Sequence, residues 1–149
     1  MNRGPVGPDD LPEAGGREAK GLGLAGWVLA VFFTAAGANH FRAPAIYLGM
    51  MPPWLPWPQA MNAISGAAEM LGGIGLMVPR TRRLAAWGLI VLLIAVFPAN
   101  LHVALQGRMP GTDFSPLVLW GRLPFQVAFV AAVWWIALRK KPARLSLAP

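Results

Sequence analysis

Apolar residues run along the chain in four long stretches, separated by short polar or proline-rich connections. A helix rising 1.5 Å per residue needs about 20 mostly apolar residues to cross the hydrocarbon core of a bilayer. The stretches 22–40, 59–78, 84–105 and 117–138 meet that requirement. The first is free of charge until its end, and the second carries one charge, Glu69. The third holds Pro98, Asn100 and His102 late in its course; the fourth holds Arg122, Pro124 and Gln126 near its start. The pattern predicts an all-α protein, a four-helix transmembrane bundle. In a chain of 149 residues, four such runs leave too little polar surface for a soluble fold to cover them.

Between the first two stretches, residues 43–58 break the pattern. Pro44, Pro52, Pro53, Pro56 and Pro58 prevent a continuous helix there. Tyr47, Met50, Met51, Trp54 and Trp57, interspersed among them, resist full exposure to water. Two structures satisfy this composition. One is an amphipathic flap over the mouth of the bundle; the other is a rigid connection anchored at the membrane interface.

Charge adds an orientation. Only 13% of the residues are charged and 56% are hydrophobic, where soluble domains carry about 25% charged residues. The net charge of +7 would suit nucleic acid, but the basic residues sit in clusters between apolar runs. Such clusters set membrane topology, so the expected partner is the lipid bilayer and not nucleic acid. Arg3, Arg17 and Lys20, then Arg80, Arg82 and Arg83, then Arg139, Lys140, Lys141 and Arg144 fall on one side, against Arg42 and Arg108 on the other. Both termini are therefore expected in the cytoplasm. Residues 1–20 lack the layout of a cleavable signal and read as a disordered cytoplasmic tail. Residues 21–140 form the transmembrane domain, and 141–149 a second cytoplasmic tail. The tryptophans fit the same frame: Trp27, Trp87, Trp134 and Trp135 near inner helix ends, Trp54, Trp57 and Trp120 near outer ones.

Candidate chemistry lies in the few polar groups within the spans. Ionisable groups inside a membrane are costly and face the bundle interior. Glu69 lies about 15 Å from the outer end of its helix, near the midplane. Asn62 is on the same face about two turns away, with Ser65 close to it. Asn39 and His40 close the first helix, and Asn100 and His102 lie in the outer part of the third. Arg122 and Gln126 are spaced i,i+4 in the fourth and share a face. All four helices thus bring polar groups to the same half of the membrane. His40, Asn62, Glu69, Asn100, His102, Arg122 and Gln126 are the candidate ligand-binding or polar-network residues, with Arg122 the expected counter-ion of Glu69. A network that only fixes helix register accounts for the same residues. No metal site is expected: two His and one Glu supply ligand types, but no pair has the spacing that puts two ligands on one helix face. With no cysteine, thiol chemistry by this chain is excluded. The glycines of the second helix, Gly66, Gly72, Gly73 and Gly75, are expected to serve close helix packing.

The motifs Ala-Asn-His-Phe-Arg-Ala-Pro at 38–44, Met-Pro-Pro-Trp-Leu-Pro at 51–56 and Ser-Gly-Ala-Ala-Glu at 65–69 resemble those of DoxX-like membrane proteins. Gly-Leu-Met-Val-Pro-Arg-Thr-Arg at 75–82, Pro-Ala-Asn at 98–100 and Arg-Leu-Pro-Phe-Gln at 122–126 continue the likeness. It spans residues 22–138 and rests on the order and spacing of motifs that are individually weak. The resemblance implies a multi-pass protein of the bacterial inner membrane. It also implies recurrent polar positions at His40, Glu69, Asn100, Arg122 and Gln126, and a partner redox enzyme in sulfur, quinone-linked or oxidative-stress systems.

The leading expectation is an accessory membrane subunit that binds a quinone-like or lipid-like molecule, with no covalently bound cofactor. Alternatives are a structural scaffold that recruits a partner enzyme, and a membrane enzyme doing acid–base chemistry on a lipid. A homo-oligomer is compatible with each.

Overall fold

A computed structural model describes residues 21–109 and 111–138. The tails expected at 1–20 and 141–149 lie outside the described residues, as do the basic groups within them. Among the described residues there is no β-strand; four long helices and one short one account for most of the chain. Helix α1 is Gly23–Arg42, α2 is Pro44–Leu48, α3 is Pro58–Met77, α4 is Arg82–Gln106 and α5 is Pro116–Val133. A π-helical turn, Trp134–Leu138, extends α5.

Prolines start helices where their missing N–H is harmless: Pro44, Pro58 and Pro116 each stand in the first turn of theirs. Trp57, immediately before Pro58, takes a left-handed conformation at φ 48° and reverses the chain into α3. Gly107 ends α4 at φ 65°, where a side chain would be strained. Pro98 and Pro124 lie inside α4 and α5, each removing one backbone donor.

α1, α4 and the continuous segment Pro116–Leu138 are each long and apolar enough to cross a membrane. α3 has the length but is not among them; Gln59, Asn62, Glu69 and four glycines dilute its apolar character. Large apolar side chains face outward along the long helices, including Leu24, Val31, Leu84, Val91, Ile94, Leu117 and Val127, and all seven tryptophans are exposed. Such a surface is compatible with lipid contact.

α3 sits between α1 and α4, and its glycines serve both neighbours. A Cβ at Gly66 would stand 2.6 Å from His40 Cβ, and one at Gly37 2.6 Å from the Gly66 carbonyl oxygen. A Cβ at Gly73 would meet the Ala30 carbonyl at 2.6 Å. On the other side, a Cβ at Gly72 would meet the Leu89 side chain at 2.5 Å, and one at Gly75 the Ala85 Cβ at 2.7 Å. The expected packing role of these residues is thus realised on two faces, where the absence of side chains lets backbones approach.

α5 packs on α4, whereas α1 and α5 scarcely meet along their backbones. Their contact is aromatic: Phe32 stacks on Phe129 at 4.8 Å between ring centroids, and Phe33 meets Phe129 edge-on at 5.7 Å. Two apolar cores result. One, at the end of the bundle opposite α2, gathers Leu22, Ala30, Phe33, Leu76, Ala86, Leu89, Ile90 and Val133. The other, at the α2 end, gathers Met50, Val103, Met109 and Leu119, with Ile46 and Tyr47 against it.

Candidate functional site

A cavity of about 640 Å³ reaches from one core to the other. Phe32, Phe33, Leu89, Leu93 and Phe129 form its apolar end; Tyr47, Met50 and Met51 border it at the α2 end. His40, Ser65, Glu69, Asn100, Arg122 and Gln126 line its wall. The segment 43–58 therefore divides in two. Tyr47, Met50 and Met51 turn to the cavity, while Trp54 and Trp57 remain 69% and 74% exposed. One side of the segment thus borders the cavity and the other is exposed.

His40 is the most connected polar group of the wall. Asn62 Nδ2 donates to the His40 carbonyl oxygen at 3.1 Å, which turns Asn62 Oδ1 towards His40 Nδ1 at 3.0 Å. An amide oxygen only accepts, so Nδ1 carries the proton in this arrangement. The other ring nitrogen, Nε2, then faces Glu69 Oε2 at 3.5 Å. That contact is an ion pair when the ring is protonated on both nitrogens. The Tyr47 ring stacks on the His40 ring at 3.6 Å between centroids, and the Tyr47 hydroxyl accepts from Asn39 Nδ2 at 3.0 Å. Tyr47 thus shields one face of the imidazole.

The expected Glu69–Arg122 ion pair is not formed; Glu69 pairs with His40. The i,i+7 relation of Asn62 and Glu69 places both on the α3 face that meets α1, and His40 spans them with its two ring nitrogens. Arg122, on the α5 wall, points its guanidinium at two thioethers instead. Nη1 donates to Met109 Sδ at 3.3 Å and Nη2 to Met50 Sδ at 3.8 Å. Sulfur in a thioether is a weak acceptor. No carboxylate forms an ion pair with Arg122 among the described residues.

Asn100 and Gln126 form a second junction. Gln126, 6% exposed, donates from Nε2 to the Leu93 carbonyl and accepts from Asn100 Nδ2 at 3.2 Å. Pro98 explains why α4 accepts a side chain here: it leaves the Ile94 carbonyl without its usual donor and loosens the turn that includes Leu93. The direction of the Gln126 amide fixes that of Asn100, and Asn100 Oδ1 is left buried with no donor.

The remaining candidates separate from the cavity. Asn62 is 5% exposed and lies behind His40, out of the cavity wall. His102 does not line it; its Nε2 bonds Gln106 Nε2 at 2.9 Å on the exposed side of α4. No three His, Asp or Glu side chains converge as a metal site among the described residues. Met109 and Phe129 escaped the sequence reading. Neither polarity nor spacing marks a Met in a loop or a Phe in an apolar span; only their contacts do.

The fold and site define an all-helical bundle with an amphipathic cavity opened between its first and last helices. The chain belongs to the family described as Domain of unknown function (DUF8561), whose model matches residues 29–137. That span contains every residue of the cavity wall. Comparison with curated proteins and with solved structures gives no match.

Proposed function

We propose that this chain is a four-pass protein of the bacterial inner membrane, akin to DoxX-like proteins, that binds a quinone-like or lipid-like amphiphile as the accessory subunit of a redox or oxidative-stress system. The observation that carries the reading is the cavity. Its volume falls in the range of small-molecule sites, about 300–1,000 Å³, and its wall changes from aromatic and aliphatic at one end to polar at the other. An apolar tail fits beside Phe32, Phe33, Leu89 and Phe129, and a polar head beside His40, Glu69, Asn100 and Arg122. Glu69 or His40 then exchanges a proton with a hydroxyl or carbonyl of that head.

α3 is the fourth span in this reading. Asn62 and Glu69 turn towards α1 and the glycines are covered by α1 and α4, so its modest hydropathy reflects neighbours on two sides. The basic clusters at the termini and around Arg80, Arg82 and Arg83 support a cytoplasmic position for both ends. With no cysteine, electron transfer falls to the bound amphiphile and a partner enzyme.

The test is mass spectrometry of organic extracts from protein purified in a maltoside detergent. Wild type is expected to carry a quinone or lipid at stoichiometric level, Glu69→Gln less, and Gly121→Phe, which fills the cavity, almost none. Equal, ligand-free preparations of all three overturn the proposal.

A second reading, a scaffold for a partner enzyme, draws on a different observation: Asn62 and Gln126 direct their hydrogen bonds between helices. Its signature is lower thermal stability of Asn62→Leu and Gln126→Leu together with a ligand-free wild type.

A further inference from the structure

The guanidinium of Arg122 stands in the cavity without an anion. An arginine does not shed its charge in a protein, and an ionised side chain inside an apolar bundle requires a partner. The groups around it do not supply one. Met50 and Met109 offer neutral thioethers, and Glu69 is matched by His40 on the opposite wall. About one helical turn from Arg122 along α5, Gln126 holds Asn100, whose Oδ1 is a buried acceptor with no donor. The cavity thus presents a cation without an anion above an apolar end.

We propose that the occupant is an amphiphile with an acidic oxo head, a phosphate monoester or a carboxylic acid, seated with an anionic oxygen on Arg122. Resting on the amphiphile-binding reading above, this names the chemical class of the head. Guanidinium binds two oxygens of such a group through parallel N–H donors. The methionines yield readily, because a flexible thioether loses little when an oxyanion replaces it. An anion here offsets the charge of the buried guanidinium.

The test measures binding of three probes to full-length protein in maltoside micelles by calorimetry: dodecyl phosphate, dodecanol and inorganic phosphate. Dodecyl phosphate is expected to bind about tenfold or more tighter than dodecanol, the scale of a charge-assisted hydrogen bond. Arg122→Gln is expected to abolish that preference, and Arg122→Lys to keep part of it. Thermal unfolding of each variant without ligand shows whether it is folded. A folded Arg122→Gln that keeps the full preference overturns the proposal. Dodecanol binding as tightly as dodecyl phosphate overturns the acidic head but leaves the amphiphile reading standing. Inorganic phosphate binding as tightly as dodecyl phosphate makes free phosphate the ligand and overturns the requirement for a tail. Failure of both dodecyl probes overturns this proposal and the amphiphile reading together.

Discussion

His40 Nε2 faces Glu69 Oε2 at 3.5 Å, while Asn62 holds the opposite nitrogen of the same ring at 3.0 Å. The imidazole therefore has little freedom to rotate, and its two nitrogens have different tasks. Asn62 Oδ1 accepts from one nitrogen, and Glu69 faces the other. Stacking by Tyr47 closes one face of the ring. The carboxylate is consequently committed across the α1–α3 interface, and Arg122 on α5 is left to the cavity.

The first expectation concerns Asn62. Asn62→Ala leaves the His40 N–H and carbonyl without their partners in a buried place, which costs about 1–3 kcal/mol. Reversible unfolding in mixed micelles measures it. A change below a few tenths of a kcal/mol would show that the bond contributes nothing.

The α1–α3 crossing gives a second. Gly66→Leu cannot be accommodated against His40 Cβ and the Gly37 carbonyl without separating the helices. The variant is expected to misfold or to unfold at markedly lower temperature. Gly88 has nothing within 4 Å of its would-be Cβ, so Gly88→Ala is expected to be neutral or to stabilise by about 0.4–1 kcal/mol. The two unfolding temperatures, measured side by side, separate steric from propensity effects.

The Asn100–Gln126 contact can be measured as a coupling. Hydrogen bonds between helices in membranes contribute about 0.6 kcal/mol on average and up to about 1.7. A double-mutant cycle of Asn100→Leu and Gln126→Leu is expected to give a coupling in that range. Strict additivity would mean that the geometry carries no energy.

Topology is accessible because the chain has no cysteine. Trp54→Cys and Thr81→Cys bracket α3, since they lie before Pro58 and after Met77. In intact cells a membrane-impermeant maleimide is expected to label Cys at 54 and to reach Cys at 81 only after permeabilisation. Labelling of both from the same side would show that α3 does not cross.

The positions of the long helices were legible in the sequence. Runs at 22–40, 59–78, 84–105 and 117–138 correspond to Gly23–Arg42, Pro58–Met77, Arg82–Gln106 and Pro116–Leu138. Apolar length, proline starts and the glycine stop at Gly107 act within a few residues of chain. That same local information also placed the polar groups at similar depth, and six of them line one cavity. Which group meets which was decided by tertiary structure alone. Depth made Arg122 a natural partner for Glu69, but Gly37, Gly66 and Gly73 bring α1 onto α3 so closely that His40 arrives first. α5, packed on α4, keeps Arg122 on the other wall. Helix formation is local, whereas ion pairing follows the lateral order and closeness of helices, which small residues far apart in the chain determine together.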